Sequence, residues 1–412
     1  MESGAIEEPR LFEQALIYRT AADPSLVDIG LLAETLFFYS KTQLLLDRSS
    51  IIALAKQVPV DVLIELFDRN AIKLSYVRDG FAVMSSGGAL SEHDFGAIQL
   101  AGRADGRKIK DHQEEIADAL EMALGKTGDI RKMAKAIADR AILQKYKGVP
   151  QKVKAIPDLA RADVEDAQFL NRAVATCLEH WIPNMRFSSP LRFRVFKTAS
   201  GSYAVDTNLD YAALNVAYHK VFPPSHSSLS TAYLLAQIQS ARADIFFAAY
   251  YMAEPVTGAL SGAISKLKHF EFLRRRELNA QEIELFHEIV VPDVPSIRDA
   301  VNSGERTMAD FLKFLDQSSK FKSMLTDTSP DLGLIRTYNN EVSKKSWVET
   351  LPGKTIRFMV ASAAGFAANA FLPGAGLAVG ATNTFFADKI LKGWRPNRFI
   401  EGPYRKFVAG AK

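Results

Sequence analysis

Residues able to do chemistry recur along this chain at suggestive spacings, and most of those spacings lack a component. His112 and Glu114 have the His-x-Glu spacing of a zinc site that activates water, but that site needs two further thiolates and the chain has one cysteine, Cys177. His287-Glu288 begins like a zinc-binding helix, yet Val291 stands where the second imidazole belongs. Gly125-Lys126-Thr127 and Gly353-Lys354-Thr355 have the closing residues of a phosphate-binding loop, and Leu120 and Val348 occupy the places of its first glycine. Cys177 precedes His180 on one helix face, as a thiolate–imidazolium pair would require. A lone cysteine is more often a small buried hydrophobe, and that reading is preferred. No residue is assigned as catalytic, no metal-ligand set is assigned, and no cofactor is expected.

Asp47 is the exception that keeps an enzymatic alternative open. In LLLDRSSIIALAKQ (Leu44–Gln57) an aspartate closes an apolar strand and is followed by small polar residues and an apolar helix. This stretch resembles the first motif of PIN-type metal-dependent nucleases, which implies Asp47 as a Mg²⁺ ligand. The resemblance covers fourteen residues, and the late strand with further clustered aspartates that the pattern also requires is missing. The same region admits a winged-helix reading, with IKLSYVRDGFAVMS as the wing. Asp61, Glu65 and Asp68 on its recognition helix oppose phosphate binding.

Charge is unevenly placed. From Lys126 to Lys154 nine Lys/Arg residues face only Asp129 and Asp139, a local charge of +7 in a chain of net +4. Arg131, Lys132, Lys135, Arg140, Lys145 and Lys147 are the candidates for holding nucleic acid or an anionic surface. Aromatic stacking residues are sparse there, so a solvated helix face is the preferred reading and nucleic acid the weaker partner class. Arg242 and Asp244 interrupt an otherwise apolar helix two residues apart and cannot face each other. Each needs another partner or a solvent-facing stripe, and a structural ion pair is preferred over catalysis.

The elements that position these residues follow from pattern and punctuation. Leu16-Ile17 predicts a first strand, TLFFY the close of a helix, TQLLL a strand, and the Asp79-Gly80 dipeptide a hairpin turning at Arg78-Asp79-Gly80. Two amphipathic helices are expected over residues 111–146, with Ala141 and Leu143 on the apolar face of the second. A β-hairpin is expected near 191–207, a long helix from Ser227 to Ala253, and a capped helix after Thr307, with Asp310 three residues on. The expected fold class is α+β and predominantly helical. Its parts are a small α/β unit at 1–90, a charged helical connector at 91–150, a mostly helical domain at 151–340, and an apolar helical hairpin with a basic tail at 341–412.

That last part is the most apolar. Residues 358–387 carry no formal charge, and Leu372-Pro373-Gly374-Ala375-Gly376 interrupts them. Each arm, at ~15 residues, spans ~22 Å as a helix, short of a ~30 Å hydrocarbon core, so a tight Gly/Ala-rich helical hairpin over 355–391 is expected. Phe358, Gly365, Phe371, Pro373, Gly374, Gly376, Gly380, Phe385, Phe386 and Trp394 are its candidate membrane or oligomer contacts. Both ends are basic, as an anionic lipid surface would favour. A buried or oligomeric packing is preferred, because Asn369, Thr382 and Asn383 oppose lipid.

Composition bounds the rest. With 48% hydrophobic and 24% charged residues the chain is neither disordered nor polytopic, and one cysteine excludes an intramolecular disulfide framework. An acidic start (Glu2, Glu7, Glu8) without an apolar segment predicts retention in the cytoplasm, with peripheral association at the inner membrane as the conditional state. The expected function is that of a non-enzymatic interaction protein, in the manner of a bacterial stress or defence effector. It would act by self-association or partner binding, with conditional membrane association of the hairpin; the nuclease is the alternative.

Overall fold

The computed structural model describes residues 12–17, 27–69, 72–86, 92–99, 102, 106–146, 155–185, 189–223, 227–326, 333–343 and 396–409. Two compact units divide the chain. One holds Gln14–Asp28 and Lys41–Arg276; the other holds Met1–Glu13, Ile29–Ser40 and Glu277–Lys412.

The first unit contains both sheets. Strands β1 (Gln14–Ile17), β2 (Lys41–Leu46) and β3 (Ile72–Val77) lie side by side in parallel, and α1 (Ile29–Phe38) separates the first two in sequence. Between β2 and β3 come α2 (Arg48–Gln57) and α3 (Val60–Phe67), which supply the right length for a parallel crossover. Next along the chain are β4 (Asp79–Ser86), β5 (Glu92–Gln99), α4 (His112–Leu124), α5 (Ile130–Ala138) and β6 (Ala141–Gln144). Then follow α6 (Ile156–Glu165), α7 (Ala167–Trp181), β7 (Phe193–Lys197), β8 (Tyr203–Thr207), α8 (Tyr211–Tyr218), α9 (Thr231–Tyr250) and β9 (Glu254–Val256). Strand order is β6-β3-β2-β1-β9 in the parallel sheet and β4-β5-β8-β7 in the antiparallel one.

The hairpin expected at Arg78-Asp79-Gly80 is corrected by this topology. β3 pairs with β2 and β6, whereas β4 pairs with β5 from Asp79↔Gln99 to Ser86↔Glu92. The chain changes sheets at Arg78 instead of folding back, and this removes the wing of the winged-helix reading. Ala141 and Leu143 are likewise corrected: α5 ends at Ala138, and both residues sit in β6 beside Leu74 and Tyr76. The hairpin at 191–207 is present as β7 and β8, with Gly201 in its turn at φ +88.

Burial explains why β2 shows no alternation in sequence. Thr42 to Leu46 are all buried, as in a parallel sheet covered on both faces. On one face Leu16, Leu45 and Val77 pack with Ala243 and Phe247 of α9. Helix α7 brings Leu170, Val174 and Cys177 into a second core with Phe193 and Ile238. Cap residues set the helix starts: Asp47 accepts from Ser50 N in a reciprocal capping box, Asp166 caps α7 and Ser230 caps α9.

The second unit is helical. α10 (Ala259–Val290) has a non-helical break at His269, and its residues from Glu277 onward belong here. It is joined by α1, α11 (Ile297–Asn302), α12 (Met308–Gln317), α13 (Ser319–Thr326), α14 (Gly333–Ser343), α15 (Pro396–Phe399) and α16 (Arg405–Val408), with a π-helical turn at Ile400–Tyr404. The Thr307–Asp310 capping box is present at α12. Gly30 lets α1 approach α11 closely, because a Cβ there would fall on the Arg298 carbonyl oxygen and the Asn302 side chain. At the centre Phe37 stacks on Phe314 at 5.5 Å and Phe321 at 5.3 Å, with Tyr404 at 5.6 Å.

Mixed α+β architecture with two small sheets is thus what the chain adopts. The apolar stretch 355–391, including Phe358, Gly365, Phe371, Pro373, Gly374, Gly376, Gly380, Phe385 and Phe386, lies outside the described residues, as does Trp394. Among the described residues no helix is long and apolar enough to cross a membrane.

Candidate ligand site

The loops that follow the parallel strands converge on a cavity of 540 Å³ in the sheet-bearing unit. Val27 comes from the segment after β1, Asp47 to Ser50 from the end of β2, Arg78 to Phe81 from the end of β3, and Gly258 from just after β9. Ligands of parallel α/β sheets bind outside the carboxyl ends of the strands, where side chains from several loops meet. The volume lies within the usual range of small-molecule sites.

One face of α9 forms a wall. Tyr233, Gln237, Ser240, Ala241 and Asp244 line the cavity, and their spacing of three and four residues is that of a helical stripe. Trp181, the last residue of α7, packs against Tyr233 with ring centroids 5.3 Å apart. Leu260, Ser261 and Ile264 from the start of α10 close the opposite side. The Ser261 hydroxyl donates to Asp244 Oδ2 at 2.5 Å. Asp244 therefore serves the cavity, while Arg242 turns away to Asp163 of α6, with Nε–Oδ2 and Nη2–Oδ1 at 2.5 and 2.6 Å.

The polar pole is built where β2 and β3 end. Asp47 is the N-cap of α2, its carboxylate held by Ser50 N at 2.8 Å and Ser50 Oγ at 2.9 Å. Arg48 reaches the Asp118 carboxylate on α4. Arg78 donates through Nε to Glu115 at 2.9 Å, also on α4. Burial pushes the Glu115 carboxyl above the usual carboxylate range, and the Arg78 guanidinium opposes that rise. Asp79 accepts from the Gln99 amide at 2.5 Å and from the backbone N–H of Tyr146. Asp79 thereby ties the sheet change at Arg78 to both β5 and the segment after β6.

The sequence candidates distribute as follows. Asp47 lines the cavity, but among the described residues no group of three His, Cys, Asp or Glu side chains is placed to hold a metal ion. Cys177 is fully buried, away from the cavity lining, and burial drives its thiol upward while lowering the His180 imidazole. Both shifts favour the neutral forms and so oppose a thiolate–imidazolium pair. Gly125 is the C-cap of α4, so its Gly-Lys-Thr follows a helix instead of a strand. His287 faces Glu34 at 3.5 Å within the helical unit.

In the basic stretch Arg131, Lys132, Lys135 and Lys145 are exposed, and Ile130, Ala134 and Ile137 form the buried face of α5. Lys135 pairs with Asp139 at 2.7 Å and Arg140 with Asp68 at 2.6 Å, which trims the local positive field. Lys147 lies outside the described residues. None of the described members lines the cavity.

Sequence reasoning missed the cavity as a whole, since its residues run from Val27 to Ile264. A signal was nevertheless present: Leu44-Leu45-Leu46 is followed by Asp47-Arg48, and Tyr76-Val77 by Arg78-Asp79. Both pairs follow apolar strands of the parallel sheet directly and stand at the carboxyl ends where the cavity lies. No family model, curated protein or solved structure matches the chain.

Proposed function

We propose that this is a non-enzymatic binding protein, in which the sheet-bearing unit holds a small molecule and the chain acts on other molecules by association. The observation that carries the first half is the cavity at the carboxyl ends of β1, β2, β3 and β9, with a mixed lining of rings, aliphatic side chains and oriented polar groups. Every ionic group at its polar pole is engaged in a structural contact, as suits recognition better than proton transfer.

The second half rests on the apolar stretch 355–391. Its flanks, α14 ending at Ser343 and α15 starting at Pro396, pack together in the helical unit. This supports a hairpin that self-associates, binds a partner, or meets an anionic membrane surface from the cytoplasmic side when conditions demand it. A stress or defence role would suit such a design. The nuclease alternative needs carboxylates that converge with Asp47 on one metal ion, and among the described residues no group of three is placed to hold one.

The cavity half is tested by filling it. Ser240, half-buried on the α9 wall, is replaced in Ser240→Trp, and a small-molecule library is screened by thermal shift against both proteins. Compounds that raise the melting temperature of the parent alone are the expected result. Hits that stabilise both proteins equally, or no hits at all, would remove the ligand-site reading.

A further inference from the structure

The charge balance of the cavity narrows its occupant. Among the described lining residues, Asp47, Asp79, Glu115 and Asp244 bring four carboxylates against the guanidiniums of Arg48 and Arg78. Both guanidiniums are already engaged by carboxylates, Arg48 by Asp118 and Arg78 by Glu115. An anionic ligand would have to compete with those partners.

Asp79 differs from the arginines. It is 7% exposed, and the groups that donate to it, the Gln99 amide and the Tyr146 backbone N–H, are both neutral. Neutral donors stabilise a carboxylate without cancelling its charge, so Asp79 projects negative potential into a space with low-dielectric walls. A cation placed there gains more than it would at an exposed surface. A metal ion does not fit, because no group of three ligands converges among the described residues. Beside the uncharged polar groups of the lining stand aromatic and aliphatic ones: Trp181, Tyr233, Phe81, Leu260 and Ile264. Ring faces attract organic cations and bury the apolar body that carries them.

We infer that the cavity takes a small organic cation, an alkylammonium whose chain also carries an aromatic ring. This rests on the reading of the cavity as a ligand site. Gln237 on the α9 wall offers a clean lever, since it lines the cavity and makes none of the contacts at the polar pole. The test is calorimetric titration of the full chain with pairs that share a ring and differ in charge: tryptamine against indole-3-acetate, and phenethylamine against phenylacetate. AMP and Mg²⁺ serve as the phosphate and metal probes.

The amine of each pair should bind at least about tenfold more tightly than its carboxylate. Gln237→Lys should weaken the amine several-fold and Gln237→Glu should strengthen it, with the melting temperature of each free variant confirming that it folds. Carboxylates binding as well as amines, or neither member binding, would overturn the inference. Carboxylate or AMP binding abolished by Ser240→Trp would leave the ligand site standing and refute only its charge preference. No binding by any of these probes, together with an empty library screen, would remove both.

Discussion

Replacing Asp163 by alanine should lower the unfolding free energy by about 3–5 kcal/mol, the usual cost of removing one partner from a buried ion pair. Asp163 is 3% exposed and accepts from both Arg242 and Lys268, the latter at 2.8 Å. Its loss strands the Arg242 guanidinium, whose side chain is only 11% exposed, inside the packing of α6 against α9. Lys268 suffers less, because it is one-third exposed and also reaches Asp166 at 3.3 Å. The loss comes from the stranded charge more than from the missing bond, so Asp163→Leu combined with Arg242→Met should recover most of it. Urea denaturation followed at Trp181, the tryptophan of the sheet-bearing unit, measures both variants. A double variant as unstable as the single one would show that the pair does more than satisfy its own charges.

Phe37→Ala should cost the helical unit a comparable ~3–5 kcal/mol. The ring is fully buried and lies within 6.3 Å of the rings of Phe314, Phe321, Phe399 and Tyr404. Two of those rings belong to the C-terminal strap from Pro396 to Val408, which Arg306 also holds by donating to the carbonyls of Lys406 and Phe407 at 2.8 and 2.5 Å. Removing Phe37 leaves a cavity that both α12 and the strap border. Hydrogen exchange should therefore show lost protection in peptides covering 396–408 as well as in α1, with the sheet-bearing unit unchanged. A drop confined to α1 would mean that the strap is held by Arg306 and its own packing alone.

How much of this was legible in sequence depends on the range over which each signal acts. Caps and hairpins are local, and the Thr307–Asp310 box and the 191–207 hairpin were readable; the long helix expected from Ser227 begins at Thr231, with Ser230 as its cap. The need of Arg242 for a partner was readable too, because a charge on an apolar helix states its own problem; Asp163 lies 79 residues away, and no local pattern names it. The parallel sheet was not readable. Its strands are short and paired across crossovers, and β1, β2, β3 and β9 are almost wholly buried, so neither alternation nor turn residues mark the order. Asp79-Gly80 carried a true hairpin signature and still misled, because β4 finds its partner in β5 rather than in β3. Ala141 and Leu143 continued a helical period by chance, and pairing with β3 outweighed it. The cavity inherits these difficulties, since it exists only once the sheet order is known.

The central functional claim is that the chain works by associating and that residues 355–391 make the association. Vesicle flotation with anionic liposomes, together with light scattering, on the full chain and on a deletion of 355–391 tests it most directly. The full chain should float or form a defined oligomer, and the deletion should stay monomeric and at the bottom of the gradient. Identical behaviour of the two proteins in both assays would contradict the account.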